Sequence, residues 1–443
     1  MNLVYGIKDK PKFGATIIFA LQQVLAILAA TIAVPSIIGN GMSQSAALFG
    51  AGVGTLVYQI FTKFRSPVFL GSSFAFIGSM FAAFGGAASI SAGYAGLIIG
   101  AIFAGLVYVI IAIIVKLVGV NWINKLMPPV VIGPTVAIIG LSLAGNAVGD
   151  CLKFAVNESG TYIMNTKAWV GFICALVTVF TVIICSVYGK KMAKLIPFII
   201  GIGAGYIVAT IFTLIGMKTG NADFAIIDFS LFKNMQWYPN FTFVEAFKGV
   251  AEIDAKFIAT VAVAYLPVAF VVFAEHIADH KNLSTIVNQD LLEDPGLHRT
   301  LLGDGVGSMV GAFFGGCPNT TYGESVGCVA ITGNASVVTI TTTAIIAILA
   351  SFFAPFVTLL ATIPSCVMGG VCITLYGFIA VSGLKMIQQV DLGENKNVFV
   401  VSIILITGIG GMVIKIGAVT LTAVACSLIL GIITNIVLSR KRK

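Results

Sequence analysis

Two glutamates lie in stretches that are otherwise too apolar to hold a charge. Glu275 ends a run without charged side chains that begins after Lys256, and Glu324 lies within residues 315–333, which read GGCPNTTYGESVGCVAITG. An ionisable residue in such a segment is costly and usually functional. Burial favours the protonated form of a carboxyl group, so it can hold a proton and release it when water reaches it. The ionised form instead accepts hydrogen bonds from N–H donors.

The residues around Glu275 repeat at helical spacing. Asp279 follows by four positions, so both carboxylates lie on one face of a helix, and His276 and His280 lie on the neighbouring face. Two adjacent carboxylates hinder each other's ionisation, which suits proton exchange. A structural ion pair is the alternative for Glu275. A solvated helix end is the alternative for Asp279, and it is what we expect for His280 and Lys281.

The stretch that contains Glu324 cannot form an ordinary spanning helix. Gly315, Gly316 and Pro318 break the helical pattern, and a short helix becomes plausible only near Tyr322. Irregular backbone inside a membrane persists only where protein buries it or where it lines a cavity. The N–H groups at the start of such a half-helix can donate to carbonyl oxygens. A small, neutral, planar ligand with alternating N–H and C=O groups therefore suits this site.

The composition is that of a polytopic membrane protein. Of 443 residues, 58% are hydrophobic and 9% are charged, and the mean hydropathy is +1.05. We predict an all-α fold of fourteen transmembrane segments, of which the third and tenth are too short for complete spans. Their bounds are 13–34, 45–62, 72–85, 93–118, 126–149, 168–188, 195–216, 257–278, 299–314, 320–333, 336–361, 364–383, 398–414 and 417–438.

The basic residues indicate which ends of these segments face the cytoplasm. Fourteen crossings leave both termini on one side, and placing them in the cytoplasm puts 18 of the 25 Lys and Arg residues at cytoplasmic ends. This satisfies the positive-inside rule, so the net charge of +8 reflects orientation rather than binding to nucleic acid. The N-terminus does not resemble a secretory signal peptide. We expect a multi-pass protein of the cytoplasmic (inner) membrane, surrounded by lipid.

Two pairs of segments suggest an internal repeat. Met127–Gly140 resembles Ile363–Tyr376, and the interrupted stretch Ser66–Gly78 precedes the first as Cys317–Gly327 precedes the second. Seven segments per repeat is an odd number, so the two halves are inverted relative to each other. Broken segments at matching positions of inverted halves indicate the central site of a transporter. Chance resemblance between apolar, glycine-rich stretches is the alternative.

Six motifs lie along nearly the whole chain: LQQVLAILAATIAVP (21–35), FLGSSFAF (69–76), AEHIADH (274–280), DPGLHR (294–299), PNTTYGESVGCVAIT (318–332) and MGGVCITLYG (368–377). Together they resemble the nucleobase–ascorbate transporter family (nucleobase:cation symporter 2), and within it the bacterial uracil permeases.

The resemblance implies a fold of two inverted seven-segment repeats. Short strands precede the half-helices of segments three and ten and cross near the substrate. The chain divides into a core domain and a gate domain, and a homodimer through the gate domains is implied. The parts are 1–118 (core, segments one to four), 119–217 (gate, five to seven), 218–256 (an extracellular or periplasmic linker), 257–361 (core, eight to eleven) and 362–443 (gate, twelve to fourteen).

The resemblance also implies a uracil site. The carboxylates of Glu275 and Glu324 would hold the ring, and Glu275 with Asp279 would couple its transport to H+. The other residues that the family motifs place around uracil are the backbones of Phe74 and Gly323 and the side chains of Ala30, Tyr322 and Tyr376.

The sequence departs from the family pattern at three positions. Asp279 stands where some uracil permeases carry a His linked to the coupling Glu, so a carboxylate pair replaces an imidazole relay. Ser325 stands where the family usually has Asn, and purine-selective members carry Gln-Asn in place of Glu324-Ser325. Keeping Glu324 favours uracil, whereas Ser325 leaves the substrate range open. Cys372 replaces a Ser of some relatives, a change that we expect to be tolerated.

We therefore expect a proton-coupled uracil importer, driven by the proton gradient, with no cofactor and no metal. A purine (xanthine or uric acid) or broader pyrimidine symporter is the alternative within nucleobase transport. An anion exchanger or channel would offer a basic or neutral site rather than two carboxylates. An intramembrane hydrolase is disfavoured because it would need catalytic residues that the spans do not offer. The three histidines form no metal triad or Ser–His pair within them. The eight cysteines form no CxxC pair, so we expect free buried thiols.

Overall fold

The fold is known from a computed structural model that describes residues 3–119, 122, 128–159, 161–190, 192–416 and 419–439. The described chain is mostly helical. The helices are α1 (Phe13–Ile38), α2 (Gln44–Phe61), α3 (Ile77–Gly86), α4 (Ile90–Val118), α5 (Pro129–Ser142), α6 (Ala144–Cys151), α7 (Thr166–Tyr188), α8 (Met192–Leu195), α9 (Pro197–Thr219), α10 (Thr242–Gly249), α11 (Ala255–Val287), α12 (Leu297–Gly315), α13 (Gly323–Thr332), α14 (Val337–Ala350), α15 (Ala354–Ala361), α16 (Ser365–Ile387), α17 (Asn395–Ile409) and α18 (Ala423–Ser439). The strands are β1 (Leu70–Ser72), β2 (Val156–Glu158), β3 (Thr161–Ile163), β4 (Asn319–Thr321), β5 (Ile414–Ile416) and β6 (Val419–Leu421).

Some residues used in the sequence predictions lie outside this described part. They are residues 126–127 at the start of the fifth predicted segment, residues 417–418 at the start of the fourteenth, and the basic residues Lys125, Lys191, Arg440, Lys441, Arg442 and Lys443.

Seven helical stretches of the described chain are long and apolar enough to cross a membrane, namely α1, α4, α5 with α6, α7, α9, α11 and α16. An eighth candidate is α14 followed by α15, and these two helices bend by 82° at their junction. The sequence predicts one segment over 336–361, and the structure divides that stretch into two helices with a sharp bend between them. Pro355 lies in the first turn of α15, and it has no N–H with which to continue a helix that arrives from α14.

Helix α11 is longer than the 257–278 segment that the sequence predicts. The Asp254 side chain caps its start by accepting the backbone N–H of Phe257 at 2.7 Å. The helix ends at Asn288, whose φ of 53° is left-handed. Residues 275–281 therefore lie well inside regular helix.

Two short strands meet where the predicted broken segments come together. β1 pairs antiparallel with β4, with Leu70 opposite Thr321 and Ser72 opposite Asn319. β1 continues through a 3-10 turn, Phe74–Phe76, into α3, and β4 continues into α13. Each half of the chain thus supplies an extended segment that is followed by a short helix.

The long helices pack in two groups. α2 and α4 both pack on α12, and α4 also packs on α11, whereas α5, α7 and α9 pack with α16 and α17 on the other side. α2 and α12 approach each other closely, because a β-carbon at Gly50 would collide with the backbone of Gly311. Small residues allow helix backbones to approach in this way inside membranes.

Residues 218–256 hold more structure than the linker that the sequence predicts. They include 3-10 turns and helix α10, which packs on α4. Phe243 of α10 stacks on Phe313 of α12 with ring centroids 4.9 Å apart. Trp237 and Tyr238, the predicted interfacial aromatics, are mostly exposed.

The N-terminal segment pairs with the chain that follows α13. The Val4 N–H donates to the carbonyl of Gly333 at 2.8 Å, and the Ala335 N–H donates to the carbonyl of Tyr5 at 2.9 Å. Ile7 is buried in an apolar cluster with residues of β1, α11 and α13. The first residues of the described chain therefore brace the end of the half-helix that carries Glu324.

Candidate functional site

A cavity of about 350 Å³ lies beside the paired strands, between the two groups of helices. This volume falls at the small end of the range for small-molecule sites. One wall is polar and comes from α11, β4 and the start of α13. The facing wall is apolar and comes from α5 and α16, with Ile139, Leu375 and Phe378 among its side chains.

Three carboxylates converge on the polar wall. Glu275 and Asp279 stand one turn apart on α11, and Glu324 is the second residue of α13. Asp279 Oδ2 accepts a hydrogen bond from Thr321 Oγ1 at 2.8 Å. Within the described residues, Glu275 accepts no hydrogen bond, Glu324 accepts one only from the backbone of its own residue, and neither forms an ion pair. Both side chains line the cavity, where they can accept hydrogen bonds from a ligand.

The backbone at the start of α13 supplies donors beside these acceptors. The first N–H groups of a helix have no partner within it, and Gly323 opens α13 at the cavity wall. A β-carbon at Gly323 would have its nearest neighbour at 3.9 Å, the Asp279 Oδ1 atom. A larger side chain here would therefore occupy the cavity rather than collide with the protein.

Tyr322 and Phe74 line the cavity from the two strand ends. The Tyr322 hydroxyl donates to the carbonyl of Ser72 at 2.9 Å, and its ring lies directly over Gly71. Any β-carbon at Gly71 would collide with that ring, so β1 needs a glycine at this point. The sequence predictions missed Gly71, because a glycine in a strand gives no sign of which side chain covers it.

Two residues predicted to line the pocket lie outside it. Ala30 is buried in α1 and Tyr376 in α16, and neither borders the cavity. The Tyr376 ring meets the Phe74 ring edge to face, with centroids 5.9 Å apart. In this conformation Tyr376 therefore reaches the site only through Phe74.

Ser325 faces away from the cavity. Its Oγ accepts hydrogen bonds from Gln23 Nε2 at 2.5 Å and from the backbone N–H of Phe69 at 3.1 Å. It thereby ties the first turn of α13 to α1 and to the chain that enters β1. Sequence reasoning missed Gln23, since a glutamine in an apolar helix does not reveal its partner.

A buried polar network lies on the other face of α11. His276 Nδ1 pairs with Asp304 Oδ2 at 2.7 Å, and His276 Nε2 lies 3.0 Å from Thr300 Oγ1. His280 Nε2 lies 2.7 Å from the Tyr58 hydroxyl. The solvated helix end expected for His280 is wrong, since its side chain is fully buried. α11 continues into the protein at this point, and Tyr58 of α2 meets His280 there.

Comparison with known proteins shows the family of the chain. The model of a family described as a permease family matches residues 14–417. A uracil permease of Bacillus caldolyticus is 39% identical over 438 residues, which cover 98% of this chain and 94% of that protein. A uracil permease of Bacillus subtilis (strain 168) is 36% identical over 442 residues, which cover 99% of this chain and 96% of that protein.

The fold is also shared with solved membrane transporters. The transmembrane domain of a cyanobacterial bicarbonate transporter superposes with a TM-score of 0.62 at 15% identity, covering 97% of this chain and all of that domain. At that identity the match shows the fold alone. The sequence matches confirm the family resemblance: the chain is a multi-pass membrane protein that belongs to the permease family, and its curated relatives are transporters rather than enzymes.

Proposed function

We propose that this chain imports uracil together with protons across the cytoplasmic membrane. The observation that carries the proposal is the pair of carboxylates, Glu275 and Glu324, that line one small cavity and have no ion-pair partner among the described residues. Uracil presents ring N–H donors to such acceptors and carbonyl oxygens to the free N–H groups at the start of α13. The substrate named for the curated relatives supports the same choice.

A purine or broader pyrimidine symporter is the second candidate. The departure from the family pattern at Ser325 is the reason to consider this candidate, because Asn at this position accompanies Gln in purine-selective members. The Ser325 hydroxyl, however, is hydrogen-bonded to Gln23 and Phe69 behind the cavity. It therefore contributes no direct contact that would widen the range of ligands, and uracil remains the better proposal.

Anion transport is disfavoured even though a bicarbonate transporter shares the fold. Three carboxylates line the polar wall, and none of the described residues around the cavity has a basic side chain. An anion entering this space would meet like charges without a cation to offset them.

Proton coupling is assigned to Glu275, with Asp279 beside it. The two carboxyl groups lie one helical turn apart, and Glu324 lies beside them on the same polar wall, so full ionisation of the set is unfavourable. A proton taken up here reduces the repulsion and travels with uracil. Loss of the proton to the cytoplasm would then favour release of the substrate.

The same proposal includes fourteen segments in two inverted sevens. The seven long stretches and the bent pair α14–α15 would be joined by the shorter α2, α3, α12, α13, α17 and α18. The group around α2, α4, α11 and α12 would be the core domain, and the group around α5, α7, α9 and α16 the gate domain. Transport would proceed by movement of one group against the other around the cavity, with both termini in the cytoplasm and the gate domains forming a homodimer.

Uptake of labelled uracil by the purified chain in proteoliposomes tests the function. With an acidic exterior we expect uracil to accumulate above its external concentration, and a protonophore should abolish the accumulation. Protein-free liposomes are the control. Equilibration without accumulation would exclude proton coupling, and uptake of xanthine or uric acid in place of uracil would support the second candidate.

A further inference from the structure

A small internal cavity lies directly behind the substrate cavity. Its walls include Tyr108 from α4, Asp304 and Ser308 from α12, and Asn319 from β4. The residue after Asn319 in β4, Thr320, lines the substrate cavity. The strand is therefore the partition between the two spaces.

Two polar atoms that border this internal cavity have no partner in the described protein. Asp304 is 1% exposed and Tyr108 is 4% exposed. Asp304 Oδ2 pairs with His276, but Asp304 Oδ1 has no partner at hydrogen-bonding distance, and neither has the Tyr108 hydroxyl, whose polar neighbour is the likewise unpaired hydroxyl of Thr320. Buried polar groups are rarely left in this state, because each loses its contacts with water on folding.

We propose that one ordered water molecule binds in this cavity and bridges Asp304 Oδ1 to the Tyr108 hydroxyl. The cavity volume of about 10 Å³ is close to the smallest that holds a water molecule. Water can donate to a carboxylate and can either donate to or accept from a phenol, so it satisfies both atoms at once. Ser308 and Asn319 add polar surface. Phe76 and Val272 add apolar surface to the wall.

The water would complete a hydrogen-bonded chain from His276 through Asp304 to Tyr108. This chain joins α11, α12 and α4 immediately behind β4. The back of the substrate cavity would then be held by polar contacts as well as by apolar packing, and the ligand would meet a rigid strand.

Removal of single hydroxyl groups tests the proposal, because a bound water and an empty cavity predict opposite changes in the unfolding temperature. Tyr108→Phe would leave the water with one partner fewer, so we expect the unfolding temperature of the purified full chain to fall by about 2 °C. Tyr265→Phe is the matched control, because Tyr265 is also fully buried with an unpartnered hydroxyl but does not border this cavity. Its removal should leave the unfolding temperature unchanged or raise it.

Three outcomes would overturn the proposal. If Tyr108→Phe is as stable as the wild type or more stable, the hydroxyl has no partner to lose. If both variants fall equally, the loss is not tied to the cavity. If sodium ions raise the unfolding temperature of the wild type but not of Tyr108→Phe, the occupant is a cation.

A structure of the wild-type chain at a resolution that shows ordered water gives an independent check. We expect one density feature within hydrogen-bonding distance of both Asp304 Oδ1 and the Tyr108 hydroxyl. A direct bond between these two atoms, with no density between them, would exclude the water site even if Tyr108→Phe fails to fold.

Discussion

Both oxygens of the Glu324 carboxylate can accept a hydrogen bond from the ligand. An amide in its place would present either an acceptor oxygen or a donor NH2 group to the ligand. We therefore expect Glu324→Gln to weaken uracil binding by one to two decades, since a buried N–H left without its acceptor costs about 1–3 kcal/mol. Binding of labelled uracil to the purified variant measures the loss. Glu293→Gln, at an exposed glutamate away from the cavity, is the control. Wild-type affinity in Glu324→Gln would remove Glu324 from the site.

Glu275 has a different expected effect, because its proposed role includes the proton. Glu275→Gln mimics a permanently protonated group, so the variant should retain some uracil binding through its amide oxygen but lose accumulation under an imposed pH gradient. Counterflow of uracil without a gradient separates transport from coupling. Accumulation as steep as that of the wild type would show that the coupling residue lies elsewhere.

The Asp279→Asn variant distinguishes direct proton transfer by Asp279 from an indirect effect of Asp279 on Glu275. Asp279 already accepts a hydrogen bond from Thr321, and an amide oxygen can preserve it. If Asp279 only tunes Glu275, we expect Asp279→Asn to accumulate uracil to a level between those of the wild type and Glu275→Gln. Accumulation as low as that of Glu275→Gln would instead assign proton transfer to Asp279. The accumulation ratio in proteoliposomes measures both cases.

The sequence identified only those site residues that stand out from apolar surroundings. Glu275 and Glu324 could be found because each interrupts a long uncharged run. Asp304 could not, because it lies five positions after Arg299 and looks like part of a solvated helix end. Its pairing with His276 depends on the packing of α11 against α12, and no spacing rule within one segment reveals that packing.

At the scale of elements, the contact between α2 and α12 depends on glycine. Gly50→Ala should lower the unfolding temperature of the protein, since the new β-carbon would collide with the backbone of Gly311. The direction is informative because Ala is otherwise the better helix former by about 1 kcal/mol. Gly14→Ala in α1, where a β-carbon meets nothing within 4 Å, should be neutral or stabilising. Stabilisation by Gly50→Ala would mean that the two helices are less close than described.

The breaks between helices were partly predictable from glycine and proline. Gly315, Gly316 and Pro318 predict the end of α12, because glycine takes a left-handed conformation readily, as Gly316 does at φ 75°, and proline has no N–H with which to continue a helix. The bend between α14 and α15 was missed because apolar side chains continue through it. The length of α11 was missed because buried partners, such as Tyr58 for His280, permit polar residues deep inside a helix.

At the scale of the whole molecule, the proposed crossing number can be tested by reporters. If the chain crosses the membrane fourteen times, a phosphatase fused after Tyr238 should be active outside the cytoplasm. The same enzyme fused after Leu392 or Ser439 should be inactive, while a fluorescent protein fused after Ser439 should be bright. Phosphatase activity at all three positions would contradict the even number of crossings and the orientation that the basic residues indicate.

The pairing of residues 4–7 with residues 333–337 also sets an order of events in time. A ribosome adds roughly 5–20 residues per second. Residues 333–337 are therefore made on the order of tens of seconds after residues 4–7. During that interval the part of the Ile7 cluster that α11 and α13 supply has not been made. The half-helix that carries Glu324 is thus completed by the first residues of the chain only after most of the membrane segments have been synthesised.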